Sequence, residues 1–241
     1  MSSVLEIKNL SVRYSGAPVL SDINLSIPSG SLICIIGPNG SGKSTLIKTI
    51  VGLLDPAQGE IRYFNNQSLP EVQSRLSYLP QRESIDWDFP VNVLEVVLMG
   101  SYKRVGLGRR PSKAEHEKAL YYLNRVGLKD FARRHIADLS GGQQQRVFLA
   151  RALMTEADLY LLDEPFAAVD VVTEHMILEL LKSLRNEGKT LLISHHDLHS
   201  VQRTADKVIL IHREVLAFDT PEKVLKSPLM QKAYGGMRGL Y

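Results

Sequence analysis

The stretch GPNGSGKST at residues 37–45 constrains this chain more than any other feature of its 241 residues. Gly37, Gly42, Lys43 and Ser44 satisfy the pattern G-x-x-x-x-G-K-[ST], in which glycines let the backbone curl until successive N–H groups point inward at a phosphate. The flanks suit it. The run SLICIIG before it is apolar and rich in isoleucine, as a strand buried on both faces would be. After Lys43, the residues Leu46, Ile47, Ile50, Val51 and Leu54 recur at helical spacing, with Gly52 and Pro56 near the stop. Strand, glycine loop and helix predict a concave anion site backed by the positive end of a helix dipole. The candidate nucleotide-binding loop is therefore Gly37, Pro38, Asn39, Gly40, Ser41, Gly42, Lys43, Ser44 and Thr45. In it Lys43 would reach the β- and γ-phosphates, and the Ser44 hydroxyl would be a ligand of Mg²⁺.

The rest of the chain gives this loop a fold to sit in. VLEIKNLSVRY at 4–14 and VLSDINLSI at 19–27 alternate apolar and polar residues, which predicts half-buried antiparallel strands. Short strands are expected at 60–64 and 75–79. From about 91 to 153 the pattern is helical: Asn92 with Glu95, and Ser112 with Glu115, have capping-box spacing, and Ala119, Leu120, Leu123 and Val126 line one face. DLYLLD at 158–163 and KTLLIS at 189–194 flank a helix carrying Met176, Ile177, Leu180, Leu181 and Leu184 on one side. That βαβ alternation implies a parallel sheet with covered faces. Two more strands fall within 206–219, and helix-like pieces follow Thr220. The expected fold is α/β: a P-loop NTPase core with a mainly parallel sheet, an N-terminal antiparallel β subdomain and an inserted α-helical subdomain, all within a single domain spanning 1–241.

Composition removes some function classes. Lys plus Arg number 29 against 26 Asp plus Glu, a balance too mild to argue for nucleic acid. No run approaches the roughly 18 apolar residues that cross a bilayer, so the chain is expected to be soluble by itself. Cys34 is the single cysteine, set in the apolar LICIIG; it reads as a small core residue and fits a reducing cytoplasm.

A phosphate site with neither a metal partner nor a base would only bind. LYLLDEP at 159–165 answers both needs: Asp163 ends a buried strand and can orient the Mg²⁺ shell, while Glu164 projects differently and can polarise an attacking water. A general base of this kind contributes ~10²–10⁴ in rate. The second glycine motif, ADLSGGQQQR at 137–146, is ambiguous by itself, because Ser140 and Gln143 have the spacing of a capping box that merely starts a helix.

Taken in order, these motifs make the chain resemble the ATP-binding cassette (ABC) ATPases, the nucleotide-hydrolysing subunits of membrane transporters. The likeness spans almost the whole length: the loop at 37–45, Gln81 in YLPQ, LSGGQ at 139–143, LLDEP at 161–165, AAVD ending in Asp170, and SHHD at 194–197. The resemblance implies that Tyr14 stacks on adenine and that Gln81 touches Mg²⁺ or the attacking water. It implies that Ser140, Gly141, Gly142 and Gln143 meet the ATP held by another subunit. Aligning on Asp197 makes His196, rather than His195, the histidine bonded to the γ-phosphate. The implied catalytic set is Glu164, His196 and Gln81, and the implied metal ligands are Ser44, Gln81 and Asp163. A metal site built from His195, His196 and His199 lacks a Cys or carboxylate at ligand spacing. AAVD stands where SALD is more usual; Asp170 is retained, so the inter-subunit contact is expected to survive.

For partners the resemblance implies a homodimer or paired ATPase subunit, closing head to tail around two ATP molecules at the cytoplasmic face of the cell membrane. It further implies an integral membrane permease and, indirectly, an extracytoplasmic metal-binding protein, with no nucleic acid. The segment at 81–112 and HHDL at 195–198 are similar to those of bacterial manganese, zinc and iron importer ATPases, with Trp87 and Phe89 as candidate anchors for a permease helix. Another transported substrate is the alternative. A soluble cassette ATPase acting on nucleic acid or ribosomes would normally carry a long coiled-coil insertion or two cassettes, and this sequence has neither.

Overall fold

In the computed structural model residues 3–14, 16–82, 85, 87, 90–106 and 108–235 are described. The strands are β1 (Ser3–Tyr14), β2 (Ala17–Pro28), β3 (Leu32–Ile36), β4 (Gln58–Tyr63), β5 (Leu76–Leu79), β6 (Leu159–Asp163), β7 (Thr190–Ser194), β8 (Lys207–His212) and β9 (Glu214–Asp219). The helices are α1 (Lys43–Ile50), α2 (Leu69–Val72), α3 (Val93–Leu98), α4 (Tyr102–Val105), α5 (Lys113–Arg125), α6 (Gly141–Met154), α7 (Val171–Asn186), α8 (Leu198–Thr204), α9 (Pro221–Leu225) and α10 (Leu229–Tyr234).

The alternating N-terminal segments pair as expected. β1 runs antiparallel to β2, with Ile7 opposite Leu25 and Leu10 opposite Ile23, and β4 joins its other side in the order β2-β1-β4. The apolar strands form a second sheet ordered β5-β6-β7-β3-β8-β9, parallel throughout except for β9. Its strands need no polar face because both faces are covered. Successive residues of β3 alternate sides: Ile33 and Ile35 pack with α1 and the antiparallel sheet, while Leu32, Cys34 and Ile36 pack with the helices beyond. On β6, Leu161 and Leu162 divide in the same way.

The helical stretch forms as its caps predict, with one difference. Asn92 and Glu95 bond reciprocally, Oδ1 accepting from the Glu95 N–H at 3.0 Å and Oε2 from the Asn92 N–H at 2.9 Å. Ser112 also accepts from the Glu115 N–H, at 3.3 Å, but the Glu115 carboxylate turns to the Arg104 guanidinium at 2.8 Å. A bond with charge on both partners outcompetes the return bond of a capping box, in which only the carboxylate is charged.

One consequence of the strand order positions the site. β6, β7 and β3 lie side by side and parallel, so the segments leaving their C-terminal ends converge in one crevice. Those segments begin with Glu164, His195 and Gly37.

Candidate functional site

The glycine loop leaves β3 and closes on the start of α1. Gly42 caps that helix at φ +104°, and a Cβ there would lie 2.4 Å from the Leu20 side chain of β2. Only glycine permits that backbone and that approach. The same contact sets the β1–β2 pair against the loop, with Tyr14 half-exposed at the end of β1. Lys43 folds back over the loop, its Nζ donating to the Gly37 carbonyl at 2.8 Å and the Pro38 carbonyl at 3.1 Å. Burial pulls its pKa below the usual lysine value, opposed by the Glu164 and Asp163 carboxylates. Thr45 is buried in α1, whereas Asn39 and Gly40 face solvent.

Three predicted metal ligands meet beside Lys43. Ser44 Oγ donates to Asp163 Oδ1 at 3.1 Å and accepts from Gln81 Nε2 at 3.0 Å. Asp163 is fully buried, its Oδ1 also accepts from Ser194 Oγ at 2.6 Å, and its Oδ2 has no hydrogen-bond partner among the described residues. Burial raises its pKa, against the hydrogen bonds from Ser194 and Ser44. A buried carboxylate with one unsatisfied oxygen, beside a hydroxyl and an amide that presents its oxygen once flipped, supplies the oxygen donors that a hard divalent cation takes. The residues therefore fit Mg²⁺.

Glu164 directly follows, held in an unusual backbone state. Its φ is +51°, a left-handed conformation costly for a residue with a side chain. Three bonds hold it: its N–H donates to Ser194 Oγ at 2.8 Å, and its carbonyl accepts from Gln145 Nε2 at 3.1 Å and from the Ala167 N–H at 3.2 Å. Ser194 and Gln145 are supports that sequence reasoning missed. Ser194 carried one signal, a lone hydroxyl ending an apolar strand, and register then places it directly opposite Asp163.

The adjacent histidines face different ways. His195 is buried and stacked on Phe166, ring centroids 4.7 Å apart, while His196 is exposed. Burial and then the nearby His196 pull the His195 pKa down to about 4, against the weaker opposing effect of the Glu174 and Asp197 carboxylates. Asp170 accepts from the Thr173 N–H at 2.9 Å and caps α7.

The LSGGQ segment begins α6. Ser140 and Gln143 form a reciprocal cap, at 2.9 Å and 3.4 Å. Among the described residues no hydrogen bond joins Ser140, Gly141, Gly142 or Gln143 to the loop at 37–45. The next two glutamines reach the segments of this same chain that carry Gln81 and Glu164. Gln144 accepts from Arg82 Nη2 at 2.9 Å, beside Gln81, and Gln145 holds the Glu164 carbonyl. Trp87 turns inward, edge-on to Phe148 at 5.0 Å with its indole N–H on the Arg82 carbonyl; Phe89 lies outside the described residues. A separate cavity of about 650 Å³ is lined by Val51, Leu53, Leu69, Tyr78, Met99, Lys103, Arg104 and Arg151 among others, and Trp87 is not among its described lining residues.

A phosphate loop, an acidic strand end and an outward second glycine motif on this sheet define a cassette ATPase. The model of the ABC transporter family matches residues 20–167, and the chain belongs to that family; it is an ATP-binding ATPase. It is 51% identical to the manganese transport system ATP-binding protein MntB of Bacillus subtilis (strain 168), over 96% of this chain and 92% of that one. It is 48% identical to the zinc transport system ATP-binding protein TroB of Treponema pallidum (strain Nichols), over 96% of this chain and 87% of that one. A solved nucleotide-free ATP-binding cassette from an ABC transporter superimposes with a TM-score of 0.80 at 27% identity, covering 97% of this chain and 99% of that chain. No helix among the described residues is long and apolar enough to cross a membrane.

Proposed function

We propose that this chain is the ATP-hydrolysing subunit of an importer for a divalent metal ion, manganese, zinc or iron, working as a pair on the cytoplasmic face of a membrane permease. The observation that carries the hydrolytic part is the unsatisfied Asp163 Oδ2 next to Ser44 and Gln81, with Glu164 braced immediately beyond it. Lys43 binds the β- and γ-phosphates, exchanging the loop carbonyls for phosphate oxygens, and Tyr14 stacks on the adenine. Ser44, Asp163 and Gln81 would hold Mg²⁺, which when bound would neutralise charge on the phosphate oxygens. Glu164 takes a proton from water as the water oxygen bonds to the γ-phosphorus. The bond from that phosphorus to the bridging oxygen breaks, and ADP leaves with the electron pair. His196 donates a hydrogen bond to the γ-phosphate.

The outward start of α6 supports a head-to-tail pair, in which Ser140, Gly141, Gly142 and Gln143 meet the partner's ATP. Ser140 at that helix start is exposed, the segment makes no hydrogen bond to this chain's own phosphate loop among the described residues, and a helix N-terminus attracts anions. The cavity beside Leu53 and Lys103 is where a permease helix would dock, with an extracytoplasmic metal-binding protein delivering cargo to that permease. The metal cargo is supported by the manganese and zinc systems named for the similar proteins. Deleting the gene, with any paralogue, is expected to lower cellular uptake of radioactive manganese, zinc or iron; unchanged uptake of all three rejects the cargo. Copurification of the chain with a multi-span membrane protein checks the permease.

A further inference from the structure

His195 has no part in the chemistry just described, yet it is 3% exposed and occupies the turn between β7 and α8 that carries His196. Its Nδ1 accepts two backbone N–H groups, from His196 at 3.0 Å and from Asp197 at 3.3 Å. Its ring lies almost parallel to Phe166, at an interplanar angle of 28°, and its own N–H donates to the Ile35 carbonyl of β3 at 3.0 Å. Asp197 is fixed in turn, capping α8 through the N–H groups of His199 and Ser200. We infer that His195 is the positioning residue for His196: its Nδ1 is the acceptor that folds the β7–α8 turn and aims His196 outward at the nucleotide. This rests on the reading of His196 as the γ-phosphate histidine.

A neutral imidazole has one acceptor nitrogen and one N–H. Two donors converge on Nδ1, so the proton belongs on Nε2. That atom has no hydrogen-bond partner among the described residues and stands 4.0 Å from Glu174 Oε1. The carboxylate of Glu174 is itself engaged by the Ser200 hydroxyl. The ring therefore satisfies two turn amides with a single atom, a task an aliphatic residue of similar volume cannot perform. Phe166 belongs to the segment following Glu164, so the same ring also keeps the His196 turn in register with the base.

The test separates the acceptor from the ring. In asparagine, Oδ1 stands the same number of bonds from the backbone as Nδ1 does in histidine, and it accepts readily from an N–H two residues on. In the full-length chain with Mg-ATP, His195→Asn is expected to keep kcat close to wild type. His195→Leu is expected to lose roughly 10- to 10²-fold in kcat, the scale of a misplaced catalytic group, with KM for ATP little changed. Equal kcat in the two variants, whether both retained or both lost, overturns the inference. Should either variant fail to fold, nitrogen NMR of the wild-type imidazole decides: a proton on Nε2 is expected, and a proton on Nδ1 overturns it. His196→Ala is the control. Full turnover in that variant sinks the reading of His196, whereas low turnover there with normal turnover in His195→Leu sinks the role of His195 alone.

Discussion

Gly142 rests on the backbone of Ala168: a Cβ added to Gly142 would lie 2.3 Å from the Ala168 carbonyl oxygen. The first belongs to the start of α6, the second to the segment between Glu164 and Asp170, at φ +59°. This close backbone contact packs the start of α6 directly on that segment. Gly142→Ala is expected to force them apart, at a cost of ~1–3 kcal/mol typical of overpacking. Helix propensity alone would predict a gain of up to ~1 kcal/mol. Urea unfolding distinguishes the two signs, and an ATPase assay on the folded variant is expected to show lower turnover.

Lys43→Ala removes the ammonium from the loop and leaves the Gly37 and Pro38 carbonyls without their donor. ATP binding measured by calorimetry is expected to weaken severely and hydrolysis to stop. Normal hydrolysis would remove the central assignment of the phosphate loop.

Replacing Glu164 by Gln keeps the side-chain shape and the backbone bonds to Ser194 and Gln145 while removing the proposed base. Turnover is expected to fall by ~10²–10⁴ with ATP binding preserved. An ATP-bound dimer should then accumulate in sedimentation. Monomer alone at saturating Mg-ATP contradicts the paired working unit.

Ser194→Ala strips one hydroxyl from both Asp163 Oδ1 and the Glu164 N–H. Leaving buried polar groups unpaired costs about 1–3 kcal/mol, so a lower unfolding midpoint is expected. Lower turnover at unchanged ATP affinity would mark Ser194 as a support for the base. Wild-type stability and turnover would mean another group replaces it.

The buried His195 sets a pH dependence. Its pKa is about 4 folded against 6.5 for an ordinary histidine, so protonation favours the unfolded chain. Its contribution to stability is complete above pH 6.5 and is lost as pH falls towards 4, by at most ~1.4 kcal/mol per pH unit. Denaturant titrations between those limits should show a shallower slope for His195→Asn than for wild type.

Much of the candidate site was legible because its motifs are local in sequence. The phosphate loop needs glycines and a lysine at fixed spacing between a strand and a helix, and the strand and helix announce themselves by periodicity. The apolar β3 and β6 could be read as covered on both faces because neither offers a polar side to water. The supporting residues were not legible. Arg82, Gln145 and Ser194 are ordinary polar residues whose partners lie 62, 19 and 30 positions away. The Glu115 carboxylate likewise chose Arg104 over its own cap, a competition decided by a charge that spacing does not reveal.

The sequence by itself determined the α/β architecture, the phosphate loop, the acidic strand end and the caps of α3 and α6, because each depends on residues within a few positions of one another. Only the tertiary structure decided that Asp163 keeps an unsatisfied oxygen, that His195 turns inward while His196 turns out, and that Gly142 lies against Ala168. Each of these depends on which strands adjoin, and adjacency of β6, β7 and β3 is settled by packing both faces of one sheet rather than by any short stretch of chain.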